Sequence, residues 1–547
     1  MRLVVSGIRR TGAGQAIVLG LVAIVLFAVA SGLVVACGGH NEGGGGQAET
    51  PTTLRLASAY EFATGWDPRV SCFTESAYLR NMYDGLLIMA PPGSDKKFIP
   101  QLAESWEVSE DGMTWTFKLR KGVRFSDGEP FNAEAVKYSI ESTMKLGQGS
   151  AYILDGIDSV EVVDDYTVAF KLKYSFPLDR ILSACEASYI FSPATKGMKP
   201  EDFAGKSFGT GPYMIKSYKE GDEYVFVRNP NWWGEWKAGN PETVVLKIMQ
   251  EFSTQQQALE AGEVDFIYQV DRDSVPAMEG NPDLQVFTVP SIYQYDVCLN
   301  TRRAPLDNKT FRQALAFATP YDDIIAACGG DTLSPRAIGY VPQGMYGSST
   351  DMPQYNYDPA KAKELLAQAG YPNGEGVHPL KLYYCSDVAM HNKITPLLKE
   401  AYEEIGLKIK IMPILASQWT TVVTDPWPAP PVYDLFSERA YGSFAHGYDH
   451  LNYQFHSFKP AEWNTTEWSS PETDKLLEEA WKADATDPAK CQELLDEIQR
   501  IVLDACPVIP IFDAREVWAA RSSIKIAPDA LNGYYRGFFW TGVSMSR

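Results

Sequence analysis

The chain has 547 residues, 49 Lys and Arg against 69 Asp and Glu, and a formal net charge of −20. That balance argues against a nucleic-acid binder, whose phosphate contacts need basic surfaces. A hydrophobic share of 45% with 12% aromatic residues excludes a disordered chain, and the length suits about three domains of roughly 150 residues each.

The first element is an apolar run from Ala16 to Ala36, preceded by Arg2, Arg9 and Arg10 with no acid before Glu42. No other run is long enough to cross a bilayer, so a multi-span membrane protein is excluded. The layout is that of an export signal, although an uncleaved anchor would need a similar length. Val34-Val35-Ala36-Cys37-Gly38 resembles a bacterial lipobox, in which Cys37 would be lipidated and become the first mature residue. The glycine-rich stretch 38–46 then reads as a flexible tether, which favours cleavage. Loss of residues 1–36 removes three arginines and no acid, taking the charge to −23. The body is expected outside the cytoplasm, held to a membrane by lipid. Seven further cysteines (Cys72, Cys185, Cys298, Cys328, Cys385, Cys491 and Cys506) show no Cys-x-x-Cys spacing, so neither a zinc ribbon nor a thioredoxin-like site is expected.

Leu54–Ala57 reads as a strand and Glu75–Leu87 as a helix. Trp106–Val108 and Thr114–Leu119 read as strands separated by a turn at Ser109–Gly112, the second alternating faces with period two. Asn132–Met144 is predicted as a helix capped by Asn132, followed by a hairpin over 160–173 turning at Asp164-Asp165. A strand at Val244–Met249 and a helix at Ser253–Glu260 closing at Gly262 come next. Asp358-Pro359 opens a helix that stops at Gly370, and two long helices are expected at 471–482 and 488–503. Mixed elements of this kind indicate an α/β chain with more than one sheet.

Catalytic and cofactor motifs are scarce. No Walker loop, His-Glu-x-x-His or Rossmann fingerprint occurs. Gly205-Lys206-Ser207-Phe208-Gly209 matches Gly-x-Ser-x-Gly, but a nucleophile elbow needs a helix next, and Thr210-Gly211-Pro212 cannot open one. Six histidines occur in all, with His446, His450 and His456 clustered. His446 and His450 have helical i, i+4 spacing, but Gly442 and Gly447 favour a loop without metal. Thirteen tryptophans and 29 tyrosines fit a ligand cleft lined with rings.

The stretch from Leu102 to Phe131, LAESWEVSEDGMTWTFKLRKGVRFSDGEPF, resembles family 5 extracellular solute-binding proteins, the peptide- and nickel-type receptors of ABC importers. Tyr83-Asp84-Gly85-Leu86-Leu87, Gly209–Tyr213, Asn229–Trp233, Phe311–Leu315 and Tyr357–Leu366 extend the resemblance to about residues 54–520. It implies an α/β, two-lobed periplasmic-binding-protein type II fold with an extra domain inserted in lobe I. After a signal peptide (1–36) and tether (37–49), lobe I would comprise 50–88, 207–294 and 508–547. The extra domain would be 89–206 and lobe II 295–507, with crossings near 294 and 508 as hinge.

The resemblance further implies a monomeric receptor with no enzymatic activity and no cofactor, delivering its solute to permease subunits. Peptide-type members hold the ligand's α-amine with a lobe II aspartate. Here the expected position falls among Ser443, Phe444 and Ala445, leaving Glu438 or Asp449 as substitutes, with Asp449-His450 in place of the family's Asp-Pro. Arg439-Ala440-Tyr441-Gly442 is similar to the Arg-x-aromatic-Gly of nickel-type members, with Arg439 as carboxylate partner and Tyr441 as stacking ring. Glu75 and Ser76 would face the cleft from lobe I, and His446 and His450 complete the implied ligand-binding set. An oligopeptide or dipeptide is the first expectation for the ligand, and nickel, a metal chelate or another small solute the alternative.

Overall fold

The computed structural model describes residues 52–60, 65–71, 76–91, 94, 96–184, 187–423, 432–457 and 464–545. The apolar run, Cys37, the tether and Glu75 lie outside the described residues. Among the described residues no helix is long and apolar enough to cross a membrane.

One mixed sheet of ten strands runs through the body, in the order 409–414, 380–385, 435–440, 284–299, 508–521, 266–267, 53–58, 243–248, 223–228 and 213–219. Two strands hold its halves together. Leu284–Leu299 and Val508–Arg521 pair antiparallel along nearly their whole length, with residues 284–290 against 515–521 and 294–298 against 508–513. Both are rich in β-branched and aromatic residues, which suit a pleated surface packed on two sides. Register is lost between Pro290 and Gln294, where proline has no N–H to give the ladder. Ser291 Oγ instead donates to the Ala514 carbonyl and accepts from the Tyr293 N–H.

A separate antiparallel sheet lies between residues 103 and 172, in the strand order 103–108, 114–119, 167–172 and 157–164. Its period-two pattern buries Trp115, Phe117 and Leu119 with Val160 and Phe170. The Ala133–Leu146 helix covers it, capped as expected by the Asn132 side chain accepting from the Ala135 N–H. The helices Pro359–Gln368, Pro471–Asp484 and Pro488–Ala505 likewise start on the capping residues Asp358, Ser470 and Asp487.

The helix expected over 75–87 is confined to Ser76–Leu79. Its polar residues have tertiary partners that a helix would deny them. Asn81 Nδ2 donates to the Phe538 carbonyl, and buried Asp84 accepts from Thr210 Oγ1 and Trp233 Nε1. Leu87–Met89 is a strand instead. Sequence reading also missed the Ala389–Glu404 and Lys309–Ala318 helices.

Candidate functional site

The sheet order brings Arg439 and Tyr441, at the end of the Leu435–Ala440 strand, beside Tyr293 in the register break of the long strand. The Tyr293 and Tyr441 rings meet edge to face with centroids 5.7 Å apart. Arg439 Cζ lies 4.5 Å from the Tyr293 centroid, and Arg536 Cζ lies 5.0 Å from it and 5.5 Å from Tyr441. Two guanidinium groups thus flank a pair of phenol rings, a geometry that favours the cations. Arg536 reaches this position from a left-handed backbone conformation, φ 57°, after the Gly533–Tyr535 turn.

Two chambers meet at this cage. The larger, about 1060 Å³ counting its open mouth, is lined by Tyr60, Tyr78, Arg272, Tyr295, Glu516 and Trp518 among others, as well as by Arg439, Tyr441 and Arg536. The second, about 760 Å³, shares Arg439 and Tyr441 and extends among Val388, His391, Trp419, Phe436, Glu438 and Gln454.

The charge around the cage is mainly cationic. Burial works against the Arg439 charge, but the neighbouring phenols raise its pKa above the ordinary arginine range. Among the described residues Arg439 has no ion-pair or hydrogen-bond partner, so its donors are available to a ligand. Burial pushes the Glu516 carboxyl up, against the pull of Arg536, Arg439 and Arg272. Arg272 is already engaged, donating to the Leu333 and Arg515 carbonyls and to Ser334 Oγ.

Glu438 lies in the wall of the second chamber, but its Oε2 accepts from Thr465 Oγ1 at 3.0 Å and from the Cys298 thiol. It stands directly across the strand pair from Asp296, and burial raises both carboxyls. This arrangement suits a protonated acid better than an ammonium partner.

The other expected residues lie behind the cage. His450 lies in a helix and not in a loop, while His446 is the extended residue that precedes that helix. His446 caps the Gly447–Phe455 helix, its Nδ1 accepting from the Tyr448 N–H, and so Gly447 becomes the first helical residue. Its Nε2–H donates to Asp484 Oδ2 at 3.1 Å, and burial lowers its pKa. His450 is buried on the same helix, its pKa lowered by burial to about 4. Asp449 Oδ2 accepts from the backbone N–H groups of Ser443 and Phe444. These three residues line neither chamber. Asp449 fixes the turn that follows Tyr441. A Cβ at Gly442 would collide with the Asp449 carboxylate, which explains a glycine there. Ser76 opens the short helix whose next residues, Ala77 and Tyr78, line the larger chamber.

His391, Arg536, Tyr293 and Trp419 were missed in the sequence. The usable signal for His391 was a helical pattern directly after a buried strand, since ligands in open α/β sheets collect beyond strand ends. His391 Nδ1 accepts from the Cys385 N–H at 3.3 Å, which leaves the proton on Nε2. Burial and Arg439 lower its pKa to about 3, so the ring is neutral.

The family model for bacterial extracellular solute-binding proteins, family 5, matches residues 97–462. The chain belongs to this family. It is 30% identical over 465 residues to the glutathione-binding protein GsiB of Pectobacterium atrosepticum, covering 83% of this chain and 87% of that one. The GsiB protein of Salmonella choleraesuis is 29% identical over 464 residues, with 83% and 88% coverage. The fold is that of the ABC transporter substrate-binding protein CtaP from Listeria monocytogenes, with TM-score 0.79, 21% identity and 91% and 100% coverage. It is also that of NikA from Brucella suis in complex with Fe(III)-EDTA, with TM-score 0.79, 22% identity and 90% and 100% coverage. The peptide-bound DppA from Helicobacter pylori gives TM-score 0.74 at 24% identity, with 91% and 99% coverage. This family 5 member is therefore a solute-binding protein of the ABC-importer type, with the two-lobed type II fold of its relatives.

Proposed function

We propose that the protein captures a short peptide with at least one free carboxylate and delivers it to the permease of an ABC importer. The observation that carries this reading is the half-buried Arg439 guanidinium, flanked by Tyr293 and Tyr441 and without an acid partner among the described residues. A planar guanidinium recognises a carboxylate through two parallel hydrogen bonds. Arg536 adds a second positive charge, and Glu516 is the acid best placed for an ammonium group in the larger chamber. The relatives named for binding glutathione, a small acidic peptide, agree with this choice.

A metal chelate is the second reading. His391, Trp419, Tyr441 and Arg439 share one chamber, so a carboxylate-bearing chelate could meet an imidazole, rings and a cation together.

We assign 50–88, 207–294 and 508–547 to lobe I, 89–206 to the extra domain and 295–507 to lobe II. The register break at Pro290–Gln294 suits a hinge, because the two long strands are the continuous connection there. Ligand then favours closure by binding the closed state better than the open one. We further propose that the signal 1–36 is removed, that Cys37 carries lipid, and that the body works as a tethered extracytoplasmic monomer. No catalytic step is assigned. Ser207 Oγ accepts from the Ile215 N–H and a strand follows it, which is not a nucleophile elbow.

Calorimetry with tripeptides bearing a free or an amidated C-terminus tests the reading. Binding should weaken at least about tenfold on amidation. Equal affinity of the two forms, or hydrolysis of the peptide, would count against it.

A further inference from the structure

The second chamber has a wall chemistry that the carboxylate cage does not explain. Val388, Phe436 and Trp419 make it largely apolar. Two of its polar wall residues are nonetheless buried with an atom that has no hydrogen-bond partner among the described residues, namely His391 Nε2 and Gln454 Oε1. His391 is 3% exposed and Gln454 8%. The tautomer fixed by the Cys385 N–H makes the first a donor, and the second is a carbonyl acceptor. Leaving a buried polar group unpaired is costly, so an unmet donor and an unmet acceptor on residues of one wall ask for a complementary group.

Charge narrows the class. Arg439, shared with the larger chamber, opposes a cationic side chain. Glu438, already engaged by Thr465 and the Cys298 thiol and facing Asp296 across the strand, offers an anionic one no cation. An aliphatic side chain would fit the apolar wall but leave His391 Nε2 and Gln454 Oε1 unpaired. A carboxamide offers one acceptor and two donors without charge, and satisfies both.

We propose that this chamber is a specificity subsite for an uncharged carboxamide side chain, glutamine or asparagine, of a ligand whose carboxylate sits on Arg439. The imidazole of His391 donates to the amide oxygen, and Gln454 accepts from the amide nitrogen. The subsite rests on the peptide reading above and adds the side chain that the receptor selects.

The test is calorimetry with tripeptides X-Ala-Ala, Ala-X-Ala and Ala-Ala-X, where X is Gln, Glu, Lys or Leu. In at least one register the Gln peptide should bind about tenfold or more tighter than the Glu, Lys and Leu peptides. His391→Leu and Gln454→Leu, each checked for an unchanged melting temperature, should remove that preference and leave the Leu peptide bound at least as well. If free peptides bind but Gln, Glu, Lys and Leu differ by less than about threefold in every register, the subsite is wrong while the carboxylate reading stands. An unchanged ranking in both folded variants overturns the subsite as well. If no peptide of the panel binds, or amidated peptides bind equally, the peptide reading fails and the subsite falls with it.

Discussion

Arg180 Nε stands 3.1 Å from Asp484 Oδ2, and both side chains are almost completely buried. The pair joins the Leu178–Leu182 helix, packed with the small antiparallel sheet, to the Pro471–Asp484 helix. Arg180 also lies over the rings of Tyr346 and Phe98, at 4.2 and 5.0 Å. His446 donates to the same carboxylate oxygen. Burial alone would raise the Asp484 carboxyl, but His446 and Arg180 hold it well below the usual range.

In the proposed domain division this pair joins the extra domain to lobe II. Removing one partner strands the other charge in the interior. Arg180→Met should therefore cost about 3–5 kcal/mol, seen as a lower midpoint in denaturant unfolding. Ligand affinity should fall in parallel, because the pair would be lost on opening. Unchanged stability would show that Asp484 is compensated by His446 alone.

Arg439→Ala should weaken carboxylate-bearing ligands by about 10- to 100-fold, as expected for loss of a charge-assisted hydrogen bond worth about 1.5–3 kcal/mol. Its melting temperature without ligand should hold or rise, since a half-buried cation with no acid partner among the described residues is removed. Calorimetry with thermal unfolding separates the two effects.

Gly442→Ala tests the scaffold behind Tyr441. The added methyl meets the Asp449 carboxylate that organises the 443–444 turn. Overpacking of this kind costs about 1–3 kcal/mol. The variant should lose both stability and affinity, whereas Ala445→Gly nearby should leave affinity largely intact.

His450 makes a pH prediction with a definite sign. Its folded pKa is about 4, below the ordinary histidine value near 6.5. Between those values the unfolded chain binds the extra proton, so this residue's contribution to stability is complete above pH 6.5 and declines as pH falls. The stability difference between wild type and His450→Gln should shift by about 1.4 kcal/mol per pH unit across that window. Taking the difference is necessary, because Asp179 and Asp513, pushed up to about 6 by burial, act in the opposite direction. A pH-independent difference would mean that His450 is charged in the folded protein.

Local chemistry was legible in the sequence. Asn132, Asp358 and the Ser109–Gly112 turn define their elements through contacts a few residues away, and the structure keeps all three. The family motifs led to the fold and to Arg439 and Tyr441. The rest of the site was hidden because it is assembled by long-range pairing. Tyr293, Arg536 and His391 come from a strand, a turn and a helix that meet only through the order of the ten-stranded sheet. His446 and His450 stood out by spacing, yet their imidazoles serve a helix cap and the interior. Glycine at 447 was read as a helix breaker, but it occupies the first helical position, where the His446 cap has already satisfied the backbone.

Native mass spectrometry of wild type and Arg439→Ala, purified side by side without denaturation, tests the central claim most directly. The account predicts a peptide mass with a free carboxylate on the wild-type protein and its loss from the variant. An identical adduct on both, or one removed by a chelator, would contradict it.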